Sequence, residues 1–178
     1  MEKNKFGVMR LNKETYKQLL VELEKTPIIS EKEWNNLTSV VGHFLRLSKK
    51  NETFEDGIYS DKTFYWYSLA NKKLNKILSD ISNRNASDLL TIYTIDTYPP
   101  QKTKPHYDFS SDLTLTIILE DNFTGGDYIV NGKKIENMNH RGDYVTWSGK
   151  NDLHECEELI SGFKKTLVVW YREKTELI

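Results

Sequence analysis

Two histidine-containing segments carry residue types that bind metal ions. His106 and Asp108 are two positions apart, and His154 lies farther along the chain. On a β-strand, side chains two residues apart point to the same face, so one imidazole and one carboxylate can converge on an ion. A second imidazole from a neighbouring strand would complete a three-ligand site that leaves other coordination positions open. The His106 and Asp108 pair alone decides nothing, but together with His154 these residues are candidate ligands of one metal site.

Short β-rich runs separated by turn residues follow one another in the second half of the chain. They are Leu89–Thr97, Leu113–Leu119, Tyr128–Val130, Tyr144–Trp147 and Lys165–Tyr171. Asn131-Gly132 between two short runs is a strong β-hairpin signal. Many short strands at this spacing predict a sandwich, jelly roll or barrel. Such a fold can return a distant strand to the side of an earlier one, which would bring His154 beside His106.

The first half of the chain shows helical patterns instead. Apolar residues at helical spacing predict a helix that has Asn12 as its N-cap and ends at Pro27, and a second helix over about Ser68–Ser82. Between them, Ser39–Leu47 is predicted as a strand. Lys49–Lys62 is predicted as a polar loop, compatible with a lid or with an ordinary surface loop. We therefore expect an α+β fold with N-terminal helices packed outside a β sandwich.

Further motifs accompany the histidines. They are Tyr98-Pro99-Pro100 before His106, Leu119 before Gly125-Gly126-Asp127, Arg141-Gly142-Asp143-Tyr144-Val145 before His154, and Gly162, Lys164 and Trp170 after it. Gly162 and Lys164 follow His154 by eight and ten residues, and Trp170 stands six beyond the lysine. Over residues of about 89–173, nearly half of the chain, this arrangement resembles the catalytic domain of the Fe(II)- and 2-oxoglutarate-dependent dioxygenases. The resemblance is greatest to the prolyl 4-hydroxylase type.

The resemblance implies a double-stranded β-helix, a jelly-roll core. It implies one domain over residues 1–178, with a helical part over about 1–87 and a catalytic core over about 88–173. It implies Fe(II) held by the three predicted ligands, with 2-oxoglutarate as cosubstrate, O₂ as oxidant and ascorbate as reductant. Lys164 is expected to bind the distal carboxylate of 2-oxoglutarate, because a buried carboxylate needs a partner. Tyr98 is expected to donate a hydrogen bond to 2-oxoglutarate, and Tyr93 competes for that role.

Two features of this prediction have local alternatives. Taken alone, His106 and Asp108 favour a surface ion pair on a turn, and the other motifs in register with them favour the metal site. Lys164 is followed by Lys165, and strand alternation sends the two side chains to opposite faces. Register with His154 favours Lys164 as the lysine that faces the site.

The resemblance implies hydroxylation of a prolyl residue in a peptide or protein, with release of succinate and CO₂. Three alternatives stay open: a 2-oxoglutarate oxygenase acting on a free amino acid or another small molecule, a metal-binding jelly-roll enzyme of the cupin kind, and a non-catalytic metal-binding module. A buried cation at Lys164 argues against the cupin kind, which has no need of one. An intact ligand set argues against the non-catalytic module.

The amino-acid composition limits the kinds of partner and the compartment that we expect for this protein. Lys and Arg number 25 and Asp and Glu number 26, so the formal net charge is −1, and this balance argues against a nucleic-acid partner. The sequence has no apolar run long enough for a membrane helix, and its first residues lack the apolar core of a signal peptide. The single cysteine, Cys156, excludes a disulfide within the chain. A cytoplasmic location is therefore expected.

Overall fold

The computed structural model describes residues 6–41, 53–54 and 62–174. Three α-helices lie in these ranges: α1 (Lys13–Lys25), α2 (Glu31–Val41) and α3 (Lys72–Ser82). A 3₁₀ turn, Ala86–Asp88, follows them. Asn12 caps α1 as predicted, since its side-chain oxygen accepts a hydrogen bond from the backbone N–H of Thr15 at 2.8 Å. None of the helices in the described ranges is long and apolar enough to cross a membrane.

Antiparallel strands form the rest of the fold. They are β1 (Met9–Arg10), β2 (Thr53–Phe54), β3 (Lys62–Tyr67), β4 (Leu89–Thr97), β5 (Thr103–His106), β6 (Leu113–Glu120), β7 (Phe123–Gly125), β8 (Tyr128–Val130), β9 (Lys133–Lys134), β10 (Asp143–Trp147), β11 (His154–Cys156), β12 (Leu159–Gly162) and β13 (Lys164–Tyr171). A large sheet has the strand order β1-β10-β6-β13-β4-β3-β2. A small sheet has the order β5-β11-β8-β9, and β12 pairs with β7.

The two faces of the large sheet have different neighbours. Strand alternation directs Leu167 and Val169 to one face, where they pack against Leu19 of α1 and Leu78 of α3. The opposite face turns towards the small sheet, and a buried cluster with Val145 and Trp147 of β10 and Val130 of β8 fills the space between them. Helices outside two facing antiparallel sheets confirm the predicted α+β, jelly-roll class.

The prediction of a strand over Ser39–Leu47 is wrong where it can be compared. Helix α2 continues to Val41, and the residues after it lie outside the described ranges. Ser30 and Glu33 start this helix with a reciprocal capping box. The Ser30 N–H donates to Glu33 Oε2 at 3.0 Å, and the Glu33 N–H donates to Ser30 Oγ at 3.2 Å. The β-branched residues near the helix end had favoured a strand over this local signal.

The predicted loop Lys49–Lys62 differs from the structure at two places. Residues 53–54 form β2, and Lys62 is the first residue of β3 rather than the last residue of a loop. The other residues of that segment lie outside the described ranges. Strand β3 alternates buried and half-buried positions, as a strand in a layered fold does. The first half of the chain thus contributes strands to the large sheet as well as helices.

Candidate functional site

The small sheet brings the two predicted histidine ligands together. His106 is the last residue of β5 and His154 is the first residue of β11, and the antiparallel register places them directly opposite each other. Residues opposite each other on neighbouring strands project from the same face of a sheet. The two imidazole rings are 4.4 Å apart between centroids. The pairing of two short strands therefore brings together two residues that lie far apart in sequence.

Asp108 reaches the histidines from the turn after β5. The Asp108 N–H donates to the carbonyl of Gly149 at 2.8 Å, which ties this turn to the loop before β11. Asp108 Oδ1 lies 3.7 Å from His106 Nε2, and Oδ2 lies 3.1 Å from His154 Nε2. One ligand atom from each of the three residues lies within 4.8 Å of the other two. Within the described ranges, this is the only such group of three potential metal ligands.

Backbone hydrogen bonds orient both imidazole rings. His106 Nδ1 lies 2.8 Å from the carbonyl of Lys104, and His154 Nδ1 lies 2.8 Å from the carbonyl of Asp152. A carbonyl oxygen only accepts, so each Nδ1 must carry the proton and donate it. In the neutral ring the lone pair then resides on Nε2, the nitrogen that faces Asp108; when His154 Nε2 is protonated, it donates to Asp108 instead. The neutral form is the usual arrangement of metal-binding histidines, so the three residues fit a divalent ion such as Fe(II).

The surroundings shift the pKa values of the two histidines in opposite directions. Burial lowers the pKa of His106 and outweighs the opposing charge of Asp108. Burial also acts to lower the pKa of His154, but the hydrogen bond and the charge of Asp108 raise it above its ordinary value. A metal ion binds neutral imidazole and ionised carboxylate, so its binding would displace any proton shared by His154 and Asp108.

Gly149 allows the Asp108 turn to approach. A Cβ atom at position 149 would lie 2.8 Å from the Cβ of Ser111 and 3.0 Å from both the Cβ and the carbonyl oxygen of Asp108. Contacts this short are not tolerated, so any larger residue would push the turn away. Gly149 is thus a positioning residue that the sequence pattern did not single out.

A cavity between the two sheets opens beside the three ligands, and Lys164 projects into it. The lysine is 3% exposed, and its Nζ donates to the carbonyl of Gly126 at 2.6 Å. The same nitrogen lies 4.1 Å from the centre of the Tyr128 ring and 3.7 Å from Cys156 Sγ. Lys165 points to the other face, where its Nζ lies 3.4 Å from Asp96. The structure therefore places Lys164, and not Lys165, beside the predicted site.

Tyr98 is not brought to the cavity. Its side chain is 49% exposed and packs against Phe163, with ring centroids 5.2 Å apart. Among the described tyrosines, Tyr93 and Tyr128 line the cavity. The role of Tyr98 towards 2-oxoglutarate stays a prediction, and its position favours the competitor Tyr93. Tyr128 lay within a predicted strand but was not recognised as a site residue.

Lys62 is a second buried lysine in the same cavity. The sequence pattern predicts it as the last residue of a loop. It is 6% exposed, and its Nζ donates a hydrogen bond to Thr103 Oγ1 on β5. Burial, with the nearby charge of Lys164 acting in the same direction, lowers the pKa of Lys62 to about 8. The alternation Lys62, Phe64, Trp66 along one face of a strand was the signal that could have found it.

Comparison with solved structures identifies the fold. A prolyl-4-hydroxylase from Pseudomonas putida aligns with a TM-score of 0.62 and 11% identity, over 95% of this chain and 92% of that chain. A prolyl hydroxylase from Trichoplax adhaerens, solved with a peptide fragment of hypoxia inducible factor, aligns with a TM-score of 0.60 and 14% identity, over 96% and 84%. A viral collagen prolyl hydroxylase from Paramecium Bursaria Chlorella virus-1, solved with 2-oxoglutarate, aligns with a TM-score of 0.59 and 13% identity, over 95% and 96%.

By sequence, neither the protein-family profiles nor the curated proteins gave a match. The likeness is thus one of structure, and it extends over nearly the whole length of this chain and of two of the three proteins compared. All three are prolyl hydroxylases. The chain therefore has the fold of the 2-oxoglutarate- and Fe(II)-dependent oxygenases of the prolyl 4-hydroxylase type.

Proposed function

We propose that this protein is an Fe(II)- and 2-oxoglutarate-dependent oxygenase. The strongest support is the convergence of His106, Asp108 and His154 with both Nε2 atoms directed inward, next to a cavity that contains a buried lysine. Bound Fe(II) would supply the O₂-dependent oxidation of a substrate C–H bond, coupled to conversion of 2-oxoglutarate to succinate and CO₂. Ascorbate as reductant belongs to the same proposal.

The chain's own residues have three tasks in this reaction. His106, Asp108 and His154 hold the ion, and their hydrogen bonds to backbone carbonyls keep the rings in place before it binds. Lys164 neutralises the distal carboxylate of 2-oxoglutarate from inside the fold, where an unpaired carboxylate would be very costly. Buried apolar walls, among them Trp147 and Val168, keep bulk water from the cavity.

We further propose that the substrate is a prolyl residue of a peptide or protein. The fold supports this, because a protein of the same fold was solved with a peptide bound. The residues on either side of Asp108 also support it. Tyr107 and Phe109 are 41% and 79% exposed, and their rings lie 5.8 Å apart. Such exposed rings, adjacent to Asp108 in the chain, offer an apolar surface on which a pyrrolidine ring can pack.

Anaerobic titration tests the oxygenase proposal. Fe(II) is added with and without 2-oxoglutarate, and the weak visible charge-transfer band of the chelate is followed. We expect the band only with both components, and we expect its loss in His106→Ala. The variant His140→Ala is the matched control, because His140 is an exposed histidine in a turn. A wild-type protein that forms no band, or a band that persists in His106→Ala, would contradict the proposal.

Succinate release tests the substrate. Proline-rich peptides are compared with free L-proline and other amino acids under identical conditions. We expect turnover coupled to product formation with the peptides. Coupled turnover of a free amino acid with none on peptides would replace the prolyl substrate by a small molecule and leave the oxygenase proposal intact.

A further inference from the structure

The two buried lysines belong to one row of the large sheet. Lys62 on β3 pairs with Thr97 on β4, and Thr97 pairs on its other side with Lys164 on β13. Residues paired across neighbouring strands share a face. The strands are about 4.8 Å apart, so the two lysine backbones lie about 10 Å apart with Thr97 between them. We call Lys62, Thr97 and Lys164 the lysine row.

Both lysines extend across the cavity to the small sheet. Lys62 Nζ donates to Thr103 Oγ1 on β5, and Lys164 Nζ approaches Cys156 on β11. In the small sheet, Cys156 pairs with Thr103. The ammonium groups therefore enter at the same depth, one same-face step along β11 from the metal ligand His154. The cavity thus has a metal-binding level and, next to it, a level with two cations.

Neither ammonium group has a carboxylate partner in the part of the chain that the structure describes. The hydrogen bonds of Lys62 and Lys164 go to the hydroxyls of Thr103 and Tyr128, a carbonyl and a thiol, and no ion pair within the described ranges includes either lysine. Burying an ammonium without a counter-charge is costly, and two of them in one cavity also repel each other. A carboxylate between the two ammonium groups would reduce both costs, because it attracts each of them.

The charges of the proposed complex already balance without Lys62. A divalent ion with Asp108 carries one net positive charge, and Lys164 raises it to two. The two negative charges of 2-oxoglutarate balance that sum, so Lys164 alone meets the need that the resemblance predicted. Lys62 is an additional cation at the depth where the distal carboxylate would lie. A carboxylate has two oxygens, each able to accept from a separate ammonium group.

We propose that Lys62 is a second carboxylate-binding residue, and that it and Lys164 together bracket the distal carboxylate of 2-oxoglutarate. This inference rests on the proposed function and deepens it. It assigns recognition of the cosubstrate to strand β3, which lies outside the motifs that carry the family resemblance. The distal carboxylate then contacts both ends of the lysine row, with Thr97 beneath it.

Binding measurements with two 2-oxoacids test the assignment. 2-Oxoglutarate is compared with 2-oxopentanoate, in which a methyl group replaces the distal carboxylate, by calorimetry on the Mn(II)-loaded protein. We expect Lys62→Met to weaken 2-oxoglutarate about tenfold or more, as loss of a hydrogen bond to a charged group does, and to leave 2-oxopentanoate unchanged. Lys164→Met should act in the same way. The matched control is Lys165→Met, which removes a lysine from the opposite face of β13 and should change neither affinity.

A double-mutant cycle adds a second readout. Because both lysines contact the same carboxylate, the losses from Lys62→Met and Lys164→Met should not add. Lys62→Gln keeps a hydrogen-bond donor towards Thr103 without the charge. It should lose the preference for 2-oxoglutarate as Lys62→Met does, and it serves as the test variant if Lys62→Met does not fold.

The possible results separate the two proposals. A wild-type protein that does not prefer 2-oxoglutarate over 2-oxopentanoate would contradict the proposed function itself. Loss of the preference in Lys164→Met but not in the Lys62 variants would overturn only the role of Lys62. Equal weakening of both 2-oxoacids by the Lys62 variants would also overturn it, since that pattern indicates a general structural effect. If the Lys62 variants changed only the binding of the substrate, Lys62 would contact a different carboxylate. That result would overturn the inference as stated.

Discussion

The two walls of the cavity satisfy their polar groups in opposite ways. On the small sheet, the rings of His106 and His154 each donate to a backbone carbonyl, and both face the carboxylate of Asp108. On the large sheet, Lys62 and Lys164 are buried without a carboxylate partner among the described residues. Burial lowers the pKa of Lys62, whereas at Lys164 the effect of burial is outweighed by Cys156 and Tyr128, which raise the pKa. The candidate metal-binding wall is thus arranged before an ion binds, whereas the proposed carboxylate would offset the cost of burying the Lys62 ammonium group. Substitutions on the two walls should therefore affect stability and binding in different ways.

The largest effect is expected on the small sheet, from Asp108→Ala. Residues that only support metal ligands cost about 10–100-fold in metal affinity when changed, so loss of a ligand should cost more than about 100-fold. Titration with Fe(II) or Mn(II) measures this. The fold should persist, because Asp108 lies on a turn rather than in either core. A metal affinity unchanged in Asp108→Ala would show that the three residues do not form a metal site.

The next effect is expected from Lys62→Met in the lysine row, and this substitution should increase the stability of the protein. In the metal-free, ligand-free protein at pH 7, Lys62→Met should raise the free energy of unfolding by roughly 2–3 kcal/mol, because it removes a buried charge whose pKa is depressed from 10.5 to about 8. Chemical denaturation measures this. A large loss of stability instead would indicate that Lys62 is held by interactions that its described contacts do not include.

The same shift predicts a pH dependence. Between about pH 8 and 10.5, the unfolded chain still holds the proton that folded Lys62 has lost, so wild-type stability should rise with pH in this window. Below pH 8 both states are protonated and this contribution is flat. Lys62→Met should lack the rise. The groups that act on Lys62 are Lys164 and Cys156, and Lys62 in turn acts on His106, so the difference between variant and wild type is the quantity to compare.

A smaller effect should follow from Gly149→Ala, which tests how the small-sheet wall is positioned. The added Cβ would meet the Asp108 turn at about 3 Å, so metal affinity should fall about tenfold without loss of any ligand. The control is Gly132→Ala, at a turn with φ +74° and no atom within 4 Å of the new Cβ. That variant should lose about 1 kcal/mol of stability through backbone strain and keep its metal affinity. Equal metal affinity in both variants would exclude the positioning role of Gly149.

The smallest effect is expected from Lys165→Met, one residue from Lys164 but on the other face. Its partner Asp96 lies 3.4 Å away, and the lysine side chain is about one third exposed. Such a pair contributes less than about 1 kcal/mol to stability. Affinity for 2-oxoglutarate should not change. A 2-oxoglutarate affinity as low as that of Lys164→Met would contradict the assignment of faces on β13.

The sequence was most informative where a feature depends on nearby residues. Strand β4 has the predicted bounds Leu89–Thr97. The three candidate metal ligands could be predicted because His106 and Asp108 are two residues apart and His154 belongs to a short motif. Lys62 was missed because its burial depends on pairing with Thr97, far along the chain. Strand β11, with three residues, is too short to show a period of two. Strand β11 pairs with β5 on one side and β8 on the other. Both partners lie far from it in sequence, so no local pattern indicates the strand.

If the lysine row binds a carboxylate as proposed, small acids should also stabilise the ligand-free protein. A ligand that binds only the folded chain stabilises it in proportion to the logarithm of its concentration over its dissociation constant. Relief of the buried charges on Lys62 and Lys164 would therefore register as a rise in melting temperature. A thermal-shift screen of small acids on this protein needs neither iron nor oxygen nor a substrate. The chain length and charge of the acids that raise the melting temperature would then show which carboxylates fit between the two ammonium groups.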